Sequence, residues 1–230
     1  MQLDILRSLC YNFSNAGDVL MNQSIRDWIS CNRMQRQHLM SGAYAKTMVW
    51  PTAFKLAHER HWGQKRANNM TYLTHIASTV RILRSNGYAD RDVILTIAAL
   101  HDVVEDTNTT LAEIDEKFGA TVAFGVDRLT EKDGLPKEEY FAGIFACPEA
   151  EVLGVPLVKL ADRIDNLRTL TNFKNVDKVI RKIRETEEYI CPHIAKYPIL
   201  GCMLANELEV LKRNPSYAGH FEAKEFAVIR

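Results

Sequence analysis

Apolar residues recur every three or four positions through most of this chain, and no stretch alternates long enough to make a strand. Leu3, Leu6, Leu9 and Phe13 open the pattern, and Ser14-Asn-Ala-Gly17 breaks it. Ile25, Trp28 and Ile29 mark a second helix that ends before Gly42. Residues 1–45 carry no chemical motif and are expected to form an accessory helical segment. Pro51 suits a first helical turn, and Ala53, Phe54, Leu56 and Ala57 continue as an apolar helix toward Trp62. The polar stretch Gly63 to Thr71 is a loop. The next helix starts near Tyr72, turns Ile76, Val80 and Leu83 inward, and stops at Asn86-Gly87, where glycine suits a C-terminal cap.

Asp90 is placed to cap a central helix that runs on to Thr107. Thr110-Leu-Ala-Glu113 reads as a capping box for a short helix ending at Phe118-Gly119. Val122, Ala123, Val126 and Leu129 predict another helix, and Leu135-Pro136 opens the one after it. Cys147-Pro148 and Gly154 punctuate the chain before a helix from Val155 to Thr169. Residues 176–196 form an amphipathic helix interrupted at Cys191-Pro192, and residues 199–213 a last one striped by Leu200, Leu204, Leu208 and Leu211. The fold class is all-α, with residues 46–198 as the main domain and 199–230 as a helix and tail packed on it.

Two of these helices keep chemistry on one face. On a helical wheel started at His101, Asp102 falls at about 100°, Glu105 at about 40° and Asp106 at about 140°. Ile97, Leu100, Val103 and Val104 occupy the opposite side. Three carboxylates at that spacing repel one another, so a cation is expected among them. On a wheel started at Asp162, Asn166 falls at about 40°, Lys159 at about 60° and Thr169 at about 340°. Leu157, Leu160, Ile164 and Leu167 lie behind them. If the two wet faces meet, His101, Asp102 and Asp162 converge, and His75, at the start of a neighbouring helix, completes a two-His, two-Asp set. Such ligands suit Mn²⁺, Fe²⁺ or Mg²⁺ better than a thiophilic ion. Asp165 and Arg168 read as surface ion pairs, and Arg163 as a residue that could steady a nearby carboxylate. His38, His58, His61, His193 and His220 have no motif behind them.

Composition narrows the setting. Lys+Arg and Asp+Glu are both 29, which argues against nucleic-acid binding by bulk charge. The five cysteines are scattered and form no Cys-x-x-Cys, so structural zinc is not expected and a reducing compartment is. No secretory signal pattern or membrane-length apolar run occurs, which points to the cytoplasm.

The same residues carry a family resemblance. His75, His101-Asp102 and Asp162 resemble the H…HD…D signature of HD-domain metal-dependent phosphohydrolases. The likeness is closest to the (p)ppGpp-hydrolase domain of RelA/SpoT homologues, whose blocks read LLHDxxEDT and KLADRxxNxRTL. Here they are Leu100-His-Asp-Val-Val-Glu-Asp-Thr107 and Lys159-Leu-Ala-Asp-Arg-Ile-Asp-Asn-Leu-Arg-Thr-Leu170. Arg184-Glu-Thr-Glu-Glu-Tyr-Ile-Cys-Pro192 resembles a third block. The resemblance implies an HD-type helical bundle and one Mn²⁺ held by His75, His101, Asp102 and Asp162. It implies Glu105 and Asp106 as the acid-base and water-positioning pair, with their division of labour open. It implies nucleotide contacts at Arg66, Tyr72, Lys159, Asn166 and Thr169. The implied activity is release of pyrophosphate from the 3′-diphosphate of ppGpp, in the manner of a small stand-alone alarmone hydrolase. The loop that reads RKSGxPY in the family is Arg66-Ala-Asn-Asn-Met-Thr-Tyr72 here, with Ala67 in place of a lysine. That departure leaves open another nucleotide substrate, such as NADPH or a modified purine nucleotide. A non-catalytic nucleotide-binding module, and self-association through the N-terminal helices, also stay open.

Overall fold

In a computed structural model of the chain, residues 48–67 and 69–221 are described. The accessory segment 1–45 expected from the sequence, with His38, Cys10 and Cys31, lies outside the described residues, as does the tail from 222 onward. Self-association through the N-terminal helices therefore also falls outside them.

Among the described residues the chain forms eleven α-helices and no strand. They are α1 (Trp50–Arg60), α2 (Leu73–Leu83), α3 (Asp92–Leu100), α4 (Val103–Asp106), α5 (Leu111–Phe118) and α6 (Ala120–Leu129). There follow α7 (Lys137–Phe145), α8 (Pro148–Leu153), α9 (Val155–Thr169), α10 (Val176–Tyr189) and α11 (Pro198–Arg213). A single antiparallel bridge joins Lys65 and Thr71 across the loop between α1 and α2. No helix among the described residues is long and apolar enough to cross a membrane.

α3 is the centre. Leu95, Ile97, Ala98, Ala99 and Leu100 are all fully buried, and a helix that is apolar all round belongs inside a bundle. It packs against α1, α2, α6 and α9. Gly125 of α6 lets α6 approach α3, since a Cβ there would fall 2.4 Å from Ile97 Cδ1. α9 lies alongside, burying Val158, Leu160, Ala161, Ile164 and Leu167, and it also packs on α2 and α11. The site is built where α2, α3 and α9 meet.

Several details differ from the pattern reading. The N-cap of α3 is Arg91, with no side-chain cap. Asp92 instead accepts from the backbone N–H groups of Val49 and Trp50, donors left over at the start of α1. The central helix is not continuous: α3 ends at Leu100 and a single turn, α4, resumes at Val103. Pro148 starts a short helix where only punctuation was expected, and Gly154 joins it to α9 with a left-handed φ of 76°. Thr110 caps α5 by accepting from Glu113 N–H, but the Glu113 carboxylate pairs with Arg60 rather than closing the box.

Candidate metal centre

His75 stands in the first turn of α2, His101 and Asp102 in the break between α3 and α4, and Asp162 in the middle of α9. Their ligating atoms converge. His75 Nε2 is 3.2 Å from His101 Nε2, 3.2 Å from Asp162 Oδ1 and 3.3 Å from Asp102 Oδ2. His101 Nε2 lies 3.0 Å from Asp102 Oδ2 and 3.9 Å from Asp162 Oδ1. His75, His101 and Asp162, all buried, form a group that could hold a metal ion. Asp102 adds a fourth donor at the same point.

The tautomers support a cation there. His101 Nδ1 lies 2.8 Å from the Ala98 carbonyl, an acceptor only, so it carries the proton. His75 Nδ1 donates over 2.7 Å to Asp165 Oδ2. In the neutral rings both Nε2 atoms then present lone pairs to each other, in company with two carboxylates. Four electron-rich donors around one point need a positive charge, and a divalent ion fits that donor set. Burial opposes charge on His75, yet Asp102, Asp162 and Asp165 hold its pKa well above the ordinary range. Burial likewise works against the Asp162 carboxylate, but Lys159 and the two imidazoles hold its pKa well below the usual one.

The ligands are themselves steadied. Tyr72 donates to Asp102 Oδ2 over 2.6 Å, and Asn166 to Asp162 Oδ1 over 2.5 Å. Lys159 Nζ sits 3.2 Å from Asp162 Oδ2 and 3.0 Å from the Tyr140 hydroxyl. This centre opens into a cavity of about 480 Å³. All five expected nucleotide contacts, Arg66, Tyr72, Lys159, Asn166 and Thr169, line it, as do Glu105 and Asp106. Lys65, Arg163, Lys178 and Lys182 bring further positive charge to the wall, and Ala67, Leu170 and Phe173 an apolar patch. Glu105 Oε2 is aimed by the Glu131 N–H at 2.9 Å. Burial raises the Glu105 pKa against that bond, with Asp102 adding to the rise.

The other described histidines stay out of the cluster. His61 is buried and stacks on Tyr72, His58 meets Trp62 edge-on, and His193 stacks on Phe145. The sequence reading missed Asp165. It is buried rather than a surface partner, although about 60° from Asp162 on the wheel is close enough to have placed it on the wet face. Glu131 had no signal, because it reaches the site through a backbone N–H from a loop. Arg163 does steady a carboxylate, that of Glu185 on α10 at 2.6 Å.

An all-helical bundle that brings two histidines and two aspartates together at one cavity has the makings of a metal centre. The HD domain model matches residues 53–190, and the chain belongs to that family. Among similar proteins, the human guanosine-3′,5′-bis(diphosphate) 3′-pyrophosphohydrolase MESH1 is 35% identical over 130 residues, covering 56% of this chain and 72% of that protein. The enzyme of that activity from Haemophilus influenzae is 33% identical over 174 residues, 73% of this chain and 25% of the relative. A probable GTP pyrophosphokinase of Mycobacterium leprae is 37% identical over 153 residues, 64% of this chain and 19% of the relative. The chain thus spans a quarter or less of those two bacterial proteins. A solved structure of a metazoan ortholog of SpoT, described as hydrolysing ppGpp, shares the fold at a TM-score of 0.57. It is 22% identical and covers 74% of this chain and 97% of that one.

Proposed function

We propose that this protein is a metal-dependent guanosine-3′,5′-bis(diphosphate) 3′-pyrophosphohydrolase working in the cytoplasm. The observation that carries the reading is the four-donor cluster of His75, His101, Asp102 and Asp162 at the edge of a cavity walled by basic side chains. The names of MESH1 and the Haemophilus influenzae relative support the substrate. In this reading those four residues would hold Mn²⁺, which would supply Lewis acidity toward a phosphoryl oxygen and make the attacking water easier to deprotonate.

The chain's own groups then divide the work. Lys159 lies beside Asp162 with its ammonium in the wall, where it stabilises charge on the phosphoryl group under attack. Glu105, fixed by the Glu131 N–H, takes the proton from the attacking water. Its raised pKa suits it to accept that proton and to pass one on to the departing oxygen. Water adds to the phosphorus next to the ribose, the bond to the 3′ oxygen breaks, and pyrophosphate and GDP or GTP result. Asp106, whose backbone carbonyl is held by Gln64 at 2.9 Å, positions the water. Lys178 and Lys182 offer charge to the phosphates at the other end of the nucleotide.

One observation favours a second reading, hydrolysis of a different nucleotide. Ala67 lines the cavity where the family pattern has lysine, and Arg66 is engaged by Asp165, Asn166 and Thr169 at 2.7, 3.0 and 3.3 Å. The purified protein, supplied with Mn²⁺ and a panel of ppGpp, pppGpp, NADPH and other purine nucleotides, should consume the first two fastest and release pyrophosphate from each. No release at micromolar enzyme would defeat the proposal, and faster turnover of NADPH would install the second reading in its place.

A further inference from the structure

Asp165 is the least expected residue of this site. Its side chain is only 8% exposed, and its one oxygen Oδ2 accepts both from His75 Nδ1 and from Arg66 Nη1, each at 2.7 Å. The partners are equally hidden, at 3% for His75 and 11% for Arg66. Arg66 continues to Asn166 Oδ1 at 3.0 Å, and Asn166 donates to Asp162 Oδ1. One guanidinium therefore stands behind two of the four converging donors, His75 through Asp165 and Asp162 through Asn166.

A stabilising ion pair is a poor explanation for this arrangement. Taking a carboxylate and a guanidinium out of water costs about as much as their attraction returns. A buried pair sharing its oxygen with an imidazole points to work done on the imidazole. We propose that Asp165 is a positioning residue for His75, with Arg66 as its counterion, so that Arg66, Asp165 and the metal centre form one hydrogen-bonded unit. This rests on the reading that His75 holds a metal ion. The Asp165 carboxylate fixes the proton on Nδ1, turns the Nε2 lone pair toward His101 and Asp162, and makes His75 a stronger donor. His101 relies on the neutral Ala98 carbonyl for the same purpose, which leaves His75 the more electron-rich of the two rings. Arg66 holds Asp165 in register through the 2.7 Å ion pair.

The test is a calorimetric titration of the metal-free full chain with Mn²⁺, with melting temperatures of the metal-free forms alongside. Asp165→Ala should weaken Mn²⁺ binding about 10- to 100-fold, the usual effect of losing an outer carboxylate behind a ligating histidine. Asp165→Asn should weaken it less, because its amide oxygen still accepts from Nδ1–H. The double variant Arg66→Ala with Asp165→Ala removes the stranded guanidinium, and it should bind Mn²⁺ as weakly as Asp165→Ala even where its melting temperature recovers. Wild-type affinity in Asp165→Ala, or affinity restored together with stability in the double variant, would overturn the proposal. Since Mn²⁺ binding is read without substrate, loss of affinity in a protein that leaves ppGpp intact would uphold this inference while defeating the assigned activity.

Discussion

Replacing Arg163 by methionine should cost about 2–3 kcal/mol of stability, well beyond an ordinary surface change. Arg163 is 2% exposed, with Nη2 2.6 Å from Glu185 Oε1 and Nη1 3.0 Å from Thr186 Oγ1. Breaking a buried pair by removing one partner typically costs about 3–5 kcal/mol. Here the cost falls at or just below the bottom of that range, because Glu185 keeps Lys182 at 3.0 Å and Lys137 at 3.4 Å. Thr186 keeps its own bond to the Lys182 carbonyl at 2.6 Å, so no hydroxyl is orphaned. In a protein of this size about 2–4 °C accompany each kcal/mol, which gives a fall in Tm of roughly 5–10 °C. The charge linkage adds a signature. Burial pushes the Glu185 pKa up, but Arg163 and Lys182 outweigh it and lower the value from 4.5 to about 2. A depressed carboxylate stabilises the fold above its unfolded value and loses that contribution as pH falls from 4.5 toward 2. Solvent at the partly exposed Glu185 holds that increment to about 1–2 kcal/mol. Thermal melts of wild type and Arg163→Met should therefore converge as the solution is acidified. A double-mutant cycle with Glu185→Gln should give a coupling of about 1–2 kcal/mol at neutral pH. A Tm within about 1 °C of wild type, or strictly additive variants, would refute the assignment of Arg163 as the tie between α9 and α10.

Three further outcomes follow from the site. Asp102→Ala removes a donor within 3.3 Å of both imidazoles, so calorimetry should find Mn²⁺ binding lost or weakened at least about 100-fold, and turnover gone with it. Glu105→Gln should lower kcat by about 10²- to 10⁴-fold while Mn²⁺ affinity holds within about threefold, and a matching loss of affinity would make Glu105 a ligand instead. Lys159→Met takes an ammonium away from Asp162, where it sits 3.2 Å off, so Mn²⁺ should bind several-fold more tightly while ppGpp turnover falls. Weaker metal binding in that variant would contradict the role given to Lys159.

Much of this was legible in the sequence, for identifiable reasons. The helices of the core follow from apolar spacing, because α3 and α9 bury nearly every residue their stripes predict. The convergence of His75, His101, Asp102 and Asp162 follows from two wet faces that have nowhere to go but toward each other. Asp165 was mistaken for a surface group because a lone acid beside a basic residue looks the same whether its partner is across the loop or out in solvent. Its partner Arg66 lies 99 residues away in the chain, beyond the reach of any local pattern. The short helix α8 escaped for a simpler reason: its six residues are too few to show a period. The cap assigned to Asp90 failed because α3 starts later, with Arg91 at the cap position and Asp92 turned to the N–H groups at the start of α1.

Regular helix stops at Leu100, and the next two residues, His101 and Asp102, both reach the same cluster. On an ideal helix His101 and Asp102 project about 100° apart, close enough to share one wet face. Asp102 adopts φ −103° and ψ −5°, in the bridge region where active-site residues are often found. Its carboxylate lies 3.0 Å from His101 Nε2. The backbone is not left unsatisfied, since Asp106 N–H still bonds the Asp102 carbonyl at 2.9 Å. One turn on, in α4, Glu105 accepts from the Glu131 N–H and lines the cavity. The wheel places these residues on one wet side, and the packing of α2 and α9 on α3 brings His75 and Asp162 to them. An acid one turn further on can then receive the proton of a water held there.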